Sequence, residues 1–240
     1  MKQKAASLLA NNQRFIPLLA TAILAFAAYL FGAILYPGMR DPQVFFNILS
    51  SNSYLLISAV GMTLVILSGG IDLSVSGVVA LTTVAAAALL RDGTDPWLVV
   101  LLMLLMGMVL GAIMGGFIAY MKVQPFIATL AGMWFARGMC FFISDDAIAI
   151  DHPIYHILGE TKILIPGLTE LAAIRGNPAP YVSISVVVSF ILLGVAIYIA
   201  HFRRFGRTVY AIGGNEGRNE QSARLMGLSV NKTKLLVYTF

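Results

Sequence analysis

The chain has 240 residues, of which hydrophobic types make up 59% and charged types only 11%, against roughly a quarter charged in an ordinary soluble domain. A soluble fold has no surface that would tolerate so much apolar side chain, so a water-soluble globular domain is excluded. The net charge of +5 is no nucleic-acid footprint, because the basic residues gather at the ends of apolar runs instead of forming one stripe.

Met1 to Arg14 is short and polar, with Lys2, Lys4 and Arg14. Phe15 to Tyr36 follows without a charge; at about 1.5 Å per residue it is long enough to cross a bilayer of about 30 Å. A secretory signal has a shorter apolar core and a small-residue cleavage site, which Tyr36-Pro37-Gly38 does not supply, so this is a retained span. Ile48 to Leu90 contains one charge, Asp72, and is about twice as long as a bilayer requires. It must be two spans, with the reversal at Gly69-Gly70, since glycine accepts backbone angles that other residues avoid. Trp97 to Tyr120 is the fourth span, with Gly107, Gly111 and Gly115 clearing one face for a neighbouring helix.

Pro125 opens a fifth span through Ile143, a position where proline sacrifices no internal hydrogen bond. Ser144 to Pro180 is mixed in character, and Asp145, Asp146, Asp151, Glu160 and Glu170 outnumber Lys162 and Arg175. Its apolar part, Ile163 to Ile174, is too short and too interrupted to span and is expected to lie on the membrane surface as an amphipathic helix or turn. The sixth span is Tyr181 to Ala200. A polar island, His201 to Lys234, comes next, and Leu235 onward starts a seventh span. The expected fold class is therefore all-α, a polytopic transmembrane helical bundle with six complete spans and the start of a seventh. With the N-terminus inside, eleven lysines and arginines fall on the inner side and five on the outer side, as the positive-inside rule requires. The island is then cytoplasmic and 144–180 faces out.

Chemistry-bearing residues are few. Gly213-Gly214-Asn215 is followed by Glu216 and lacks the lysine of a phosphate loop, so nucleotide hydrolysis and its cofactors are not expected on this chain. His152 and His156 with Asp151 imitate metal-ligand spacing, but Pro153 between them breaks the shared helical face. Cys140 lies among apolar neighbours as a small packed group. Asp72 has two readings: a carboxylate at membrane depth belongs to a solute path, or it caps the third helix by accepting its free amide hydrogens. Arg137 either snorkels outward, pairs with Asp145 or Asp146, or touches the solute. Glu220 to Met226 has the composition of a short helix stopped by Gly227; such a helix lies on headgroups or inserts into a partner's groove.

The runs AVGMTLVILSGGIDLSVSG (Ala59 to Gly77), VQPFIATLAGMWFARG (Val123 to Gly138), and RFGRTVYAIGGN with SARLMGLSV (Arg204 to Asn215, Ser222 to Val230) resemble the permease subunits of bacterial ABC importers for monosaccharides, of the ribose and galactose type. The segment ISDDAIAIDHPIYHIL (Ile143 to Leu158) together with the island looks most like the galactofuranose-type permeases. The resemblance implies a cytoplasmic ATP-binding subunit that holds ATP and magnesium, a periplasmic sugar-binding protein and a second permease subunit, identical or different, in the inner membrane. It makes 144–180 periplasmic and 201–234 the cytoplasmic coupling loop. It also makes the segment at Glu220 to Gly227 the coupling helix, with Gly213, Gly214, Asn215, Glu220, Ala223, Arg224, Leu225 and Gly227 as coupling residues. The candidates for the path or its structural turn are Gly69, Gly70, Asp72, Ser74, Thr129 and Arg137. Departures from the family pattern are Ser76-Gly77 in place of a Gly-Ser pair and about four additional residues before Ser222. Such permeases have about ten spans, so the chain is expected to be C-terminally truncated. The competing classes are a self-sufficient channel or secondary transporter, or an inactive truncated permease.

Overall fold

A computed structural model describes residues 15–150, 152–155, 161–164, 179–214 and 218–240, with the side chains of residues 218 and 219 left aside. It divides into two compact units, Met1–Leu49 with Leu164–Val182, and Ser50–Ile163 with Ser183–Phe240.

In the first unit, helix α1 (Ile16–Leu35) buries none of its side chains. A helix that is apolar all round and uncovered has lipid or protein as its solvent, not water. A short 3₁₀ turn (Pro37–Arg40) folds back on its end: the Tyr29 hydroxyl donates to the Met39 carbonyl at 3.2 Å, and Arg40 Nε donates to the Ala33 carbonyl at 2.9 Å. Helix α2 (Pro42–Ser51) begins here, and its Gln43 side-chain amide brackets Tyr181, accepting from the backbone N–H at 2.9 Å and donating to the carbonyl at 3.2 Å.

The second unit holds α3 (Ser53–Leu67), α4 (Val75–Arg91), α5 (Pro96–Ala119), α6 (Pro125–Ile143), α7 (Ile184–Phe202), α8 (Arg204–Gly213), α9 (Arg218–Leu225) and α10 (Val230–Thr239). Local chemistry sets several boundaries. Asp95 caps α5, its carboxylate accepting from the Trp97 and Leu98 amides at 3.0 and 3.1 Å, and prolines open α5 and α6. Two three-residue strands, β1 (Lys162–Leu164) and β2 (Tyr181–Ser183), also occur.

Among the described residues four helices, α1, α5, α6 and α7, are long and apolar enough to cross a membrane alone, and α2 with α3 supplies a further crossing if they act as one broken span. By length and composition, then, four or five of the six expected complete spans are seen. Helix α4 has only 17 residues, because the segment after Gly70 stays non-helical as far as Ser74. The seventh helix also differs: it starts at Val230, not Leu235, and takes Lys232, Thr233 and Lys234 into its first turns. Within the expected loop His201 to Lys234 the structure places an additional helix, α8. It buries Gly206, Val209 and Ile212 along one face, the spacing of an amphipathic helix. Of the expected surface segment, 165–174 lies outside the described residues, as does His156.

The core of this unit is Val65, Ile118, Ala128, Val209, Val237 and Tyr238, contributed by α3, α5, α6, α8 and α10. Its tightest seam is between α5 and α10. A Cβ on Gly111 would overlap the Tyr238 carbonyl, and one on Gly115 would lie 2.9 Å from the Leu235 carbonyl, whereas one on Gly107 would meet nothing. Two of the three spaced glycines thus allow backbone-to-backbone packing, the way helices associate where apolar attraction is weak. Gly77 does the same for α4 against α6, with a Cβ 2.7 Å from the Met133 carbonyl. Gly111→Ala is therefore expected to destabilise the purified protein by roughly 1–3 kcal/mol, as overpacking does. Gly107→Ala, which only gains helix propensity, should leave the thermal midpoint in detergent equal or higher.

Candidate functional site

The turn between α3 and α4 is built on one of the second unit's left-handed glycines. Helix α3 ends with Gly69 at φ +77° and with the Gly69 and Gly70 amides donating to the Ile66 and Val65 carbonyls at 2.9 and 3.0 Å. That is the paired-bond C-terminus that needs a left-handed residue, for which glycine carries no steric penalty. Beyond it, one oxygen of Asp72 accepts from the Ser74 amide at 2.8 Å and the Ser74 hydroxyl at 2.6 Å. Asp72 is therefore not the cap that accepts the first-turn amides of the next helix. It closes a side-chain turn one step earlier, and Ser74 occupies the cap position without a side-chain cap bond.

Three elements press on this turn. Thr129 is fully buried; its hydroxyl donates to the Pro125 carbonyl at 2.8 Å and reaches the Ile71 carbonyl at 3.4 Å, so it packs behind the turn and is not among the residues that line the cavity containing Asp72. The Tyr238 hydroxyl occupies the space that a Cβ on Gly70 would need. The backbone of Gly213, the last residue of α8, abuts the turn so closely that a Cβ there would overlap the Leu67 carbonyl and lie 2.9 Å from the Gly69 amide nitrogen. Gly213, Gly69 and Gly70, distant in sequence, thus form one contact. Gly214 follows in extended conformation, and Asn215 lies outside the described residues.

In front of the turn is a cavity of about 300 Å³, lined by residues including Ser58, Met62, Asp72, Ser74, Met108 and Tyr238, at the lower end of small-molecule pocket sizes. Arg137 is not part of it. Its guanidinium lies 6.0 Å from the centre of the Trp134 ring, and it pairs with neither Asp145 nor Asp146.

Helix α9 stands beside the loop between α5 and α6. Ala223 is fully buried against Ile212, Val230 and Leu228, and Gly227, at φ +78°, lets the Leu228 and Gly227 amides close on the Ala223 and Arg224 carbonyls at 3.0 Å each. Glu220 collects three cations: Lys234 at 2.5 Å, Arg224 at 2.8 Å and Lys122 at 3.8 Å. Asn231 accepts from Lys122 at 3.1 Å and from Arg224 at 2.8 Å. Burial pushes the Glu220 carboxyl up, but the hydrogen bonds from Lys234 and Arg224 and the charges of Lys234 and Lys122 outweigh it and hold the group below the ordinary glutamate value. Lys122 is held below the ordinary lysine value by burial and then by Arg224, more than Glu220 restores. What α9 leaves uncovered is Leu225, 89% exposed, and Met226, 70% exposed. Of the predicted coupling residues, then, Ala223 and Gly227 seat and end the helix, Glu220 and Arg224 anchor it, and Leu225 points away. Sequence reasoning missed Lys122 and Lys234, which nothing in their local sequence marks, and Met226, whose place beside Leu225 was the available signal.

Because the Glu220 value is depressed on folding, its contribution is present above the ordinary glutamate value of 4.5 and is lost as pH falls from there through the lower folded value. Protection of the α9 amides, measured as exchange relative to the intrinsic rate at each pH, is expected to hold from neutrality to about pH 5 and to fall below it. In Glu220→Gln the helix should exchange faster at neutral pH, with that acid step abolished.

Comparison with known proteins adds the lineage. Residues 44–240 match the family described as branched-chain amino acid transport system / permease component. The chain is 43% identical over 227 residues to the inner membrane ABC transporter permease protein YjfF of Escherichia coli (strain K12), covering 94% of this chain and 64% of that protein. It is 34% identical over 227 residues to the fructose import permease protein FruG of Bifidobacterium longum (strain NCC 2705), covering 95% and 64%. With the ribose import permease protein RbsC of Escherichia coli (strain K12) it shares 38% identity over 194 residues, covering 81% and 56%. The chain thus spans somewhat under two thirds of the length of these relatives. No solved structure matches it. The match over residues 44–240 and the agreement with these sugar import and inner membrane ABC permeases along most of its length show that the chain belongs to the family described as branched-chain amino acid transport system / permease component.

Proposed function

We propose that the chain is a membrane-spanning permease subunit of an ATP-driven monosaccharide importer of the bacterial inner membrane, and is not itself an enzyme. The observation that carries this is the continuity from α9 to the cavity. A helix with an uncovered apolar tip, Leu225 and Met226, packs through Ala223 on Ile212, and α8 ends at Gly213 against the turn that carries Asp72. A push on the tip, in this reading, reaches a wall of the cavity through these packed contacts, a contiguous route of the kind that can carry coupling.

In this reading the tip docks in a cytoplasmic ATP-binding subunit, which binds ATP and magnesium. A periplasmic binding protein delivers the sugar, and a second permease subunit, identical or different, completes the path. The names of FruG and RbsC support a monosaccharide; galactofuranose is the specific candidate. The distribution of lysine and arginine favours a cytoplasmic N-terminus and a cytoplasmic segment His201 to Lys234, with 144–180 on the periplasmic side. The surplus of positive charge at Lys122, Arg224 and Lys234 agrees with that orientation. Transport proceeds by alternating access, with Asp72 and Ser74 on the moving wall and Thr129 holding the turn from behind. A secondary transporter is less well served: one would be expected to pair charges at depth, whereas Asp72 is engaged by Ser74 and Arg137 by Trp134.

Because Leu225 and Met226 touch little within the chain, Leu225→Asp and Met226→Asp should leave insertion and stability intact. Losing one buried apolar contact, about 1.5–3 kcal/mol, should lower ATP-dependent sugar uptake by tenfold or more in the full transporter. Ala223→Glu is expected to unseat α9 as well. Wild-type uptake by both tip variants contradicts the docking assignment.

A further inference from the structure

A second hollow, of about 270 Å³, lies between α3, α7 and α8. Its long walls run from Leu56 to Leu67 on α3 and from Leu193 to Ala200 on α7, and they are apolar but for Thr63, whose hydroxyl donates to the Ala59 carbonyl at 2.7 Å. Such walls suit hydrocarbon and are costly to a polar solute. From Leu56 to Leu67 the helix rises about 16 Å, roughly half of a hydrocarbon core of about 30 Å. The groove therefore has the depth of one leaflet.

One end of the groove has a different character. His201 and Tyr210 line it, their rings edge to face at 6.1 Å. Tyr210 is 42% exposed, and its hydroxyl is bonded to nothing among the described residues. Arg207 stands three residues before Tyr210, on the same face of α8. Arg203, at the junction of α7 and α8, holds its guanidinium 5.2 Å from the centre of the Tyr198 ring. Both arginines are exposed, and neither meets a carboxylate of the described residues; the Arg207 guanidinium reaches the Phe202 carbonyl at 3.5 Å. Two guanidiniums without a counter-charge and a hydroxyl donor match a phosphate.

We infer that the groove holds an acyl chain of an anionic phospholipid of the cytoplasmic leaflet, with the lipid phosphate against Arg207, Arg203 and the Tyr210 hydroxyl. Basic pockets between helices on that side of a membrane are where anionic headgroups are held. The inference rests on the membrane orientation proposed above and adds a regulator to it. Leu67 belongs to the groove wall, and its carbonyl is the one that abuts Gly213. The bound chain thus supports the α3 side of that contact.

The test offers the full-length protein, in neutral detergent, equal amounts of phosphatidylglycerol and phosphatidylcholine with the same acyl chains, and counts the retained lipid by native mass spectrometry. The wild type should keep phosphatidylglycerol in preference. Arg207→Gln should lower that preference about fivefold, the scale of one basic residue at an anionic lipid surface. Ala196→Phe, which fills the groove, should abolish retention of either lipid and leave the melting midpoint in place. Equal retention of the two lipids by the wild type, an unchanged preference in Arg207→Gln, or lipid still held by Ala196→Phe overturns the inference. So does a wild type that retains neither lipid, which gives the groove to the rest of the full-length chain or to a second subunit. None of these results depends on sugar movement: a complex that keeps its lipid and moves no sugar overturns the transport reading alone.

Discussion

Between the Leu67 carbonyl and the backbone of Gly213 there is no room for a single carbon atom beyond the backbone itself. This contact is the constraint on which the rest of the second unit depends. It requires glycine at Gly213, fixes where α8 ends and holds the left-handed Gly69 in place. A side-chain contact across the same gap would absorb a displacement by changing rotamer. Two backbones in contact transmit it, since close-packed interiors yield little.

Either side of that contact is built to be stiff. On one side, Thr129 and Tyr238 close on the turn from α6 and α10, and α10 is itself drawn against α5 over Gly111 and Gly115. On the other, Ala223 and the Glu220 cluster tie α9 to α8, to α10 and to the loop carrying Lys122. Among the described residues the cluster carries three cations on one carboxylate. The tip, Leu225 and Met226, is apolar and uncovered, where a partner's groove would cover it.

Much of the fold was legible because long charge-free runs admit one interpretation in lipid. The boundaries of α1, α5 and α6 fall within a residue or so of the apolar runs, and proline and glycine punctuation located the turn after α3. What escaped had the opposite character. Helix α8 was hidden in a polar island because Gly206, Val209 and Ile212 face the core while Arg204 and Arg207 supply the charge; its period was readable and outweighed by its composition. Lys232 and Lys234 made the start of α10 read as loop, although one of them is there to meet Glu220. Asp72 was recognised as a turn former, but which amide it would accept depended on where α4 begins. The candidate site was legible as residues and not as contacts. Spacing showed that Gly111 and Gly115 clear a face, not that α10 would fill it. Ala223 was marked by the resemblance of its segment to a coupling helix, whereas the contact that buries it, against Ile212, Val230 and Leu228, was not visible in the sequence.

The most direct measurement of the central claim is ATP-dependent sugar uptake by the full-length transporter carrying Gly213→Ala, with Gly116→Ala, where an added Cβ meets nothing, as its control. If the backbone contact joins the cytoplasmic helices to the cavity, Gly213→Ala should reduce sugar moved per ATP hydrolysed by at least about tenfold, the equivalent of about 1.4 kcal/mol, and Gly116→Ala should not. Equal uptake per ATP in both variants and the wild type would contradict the account.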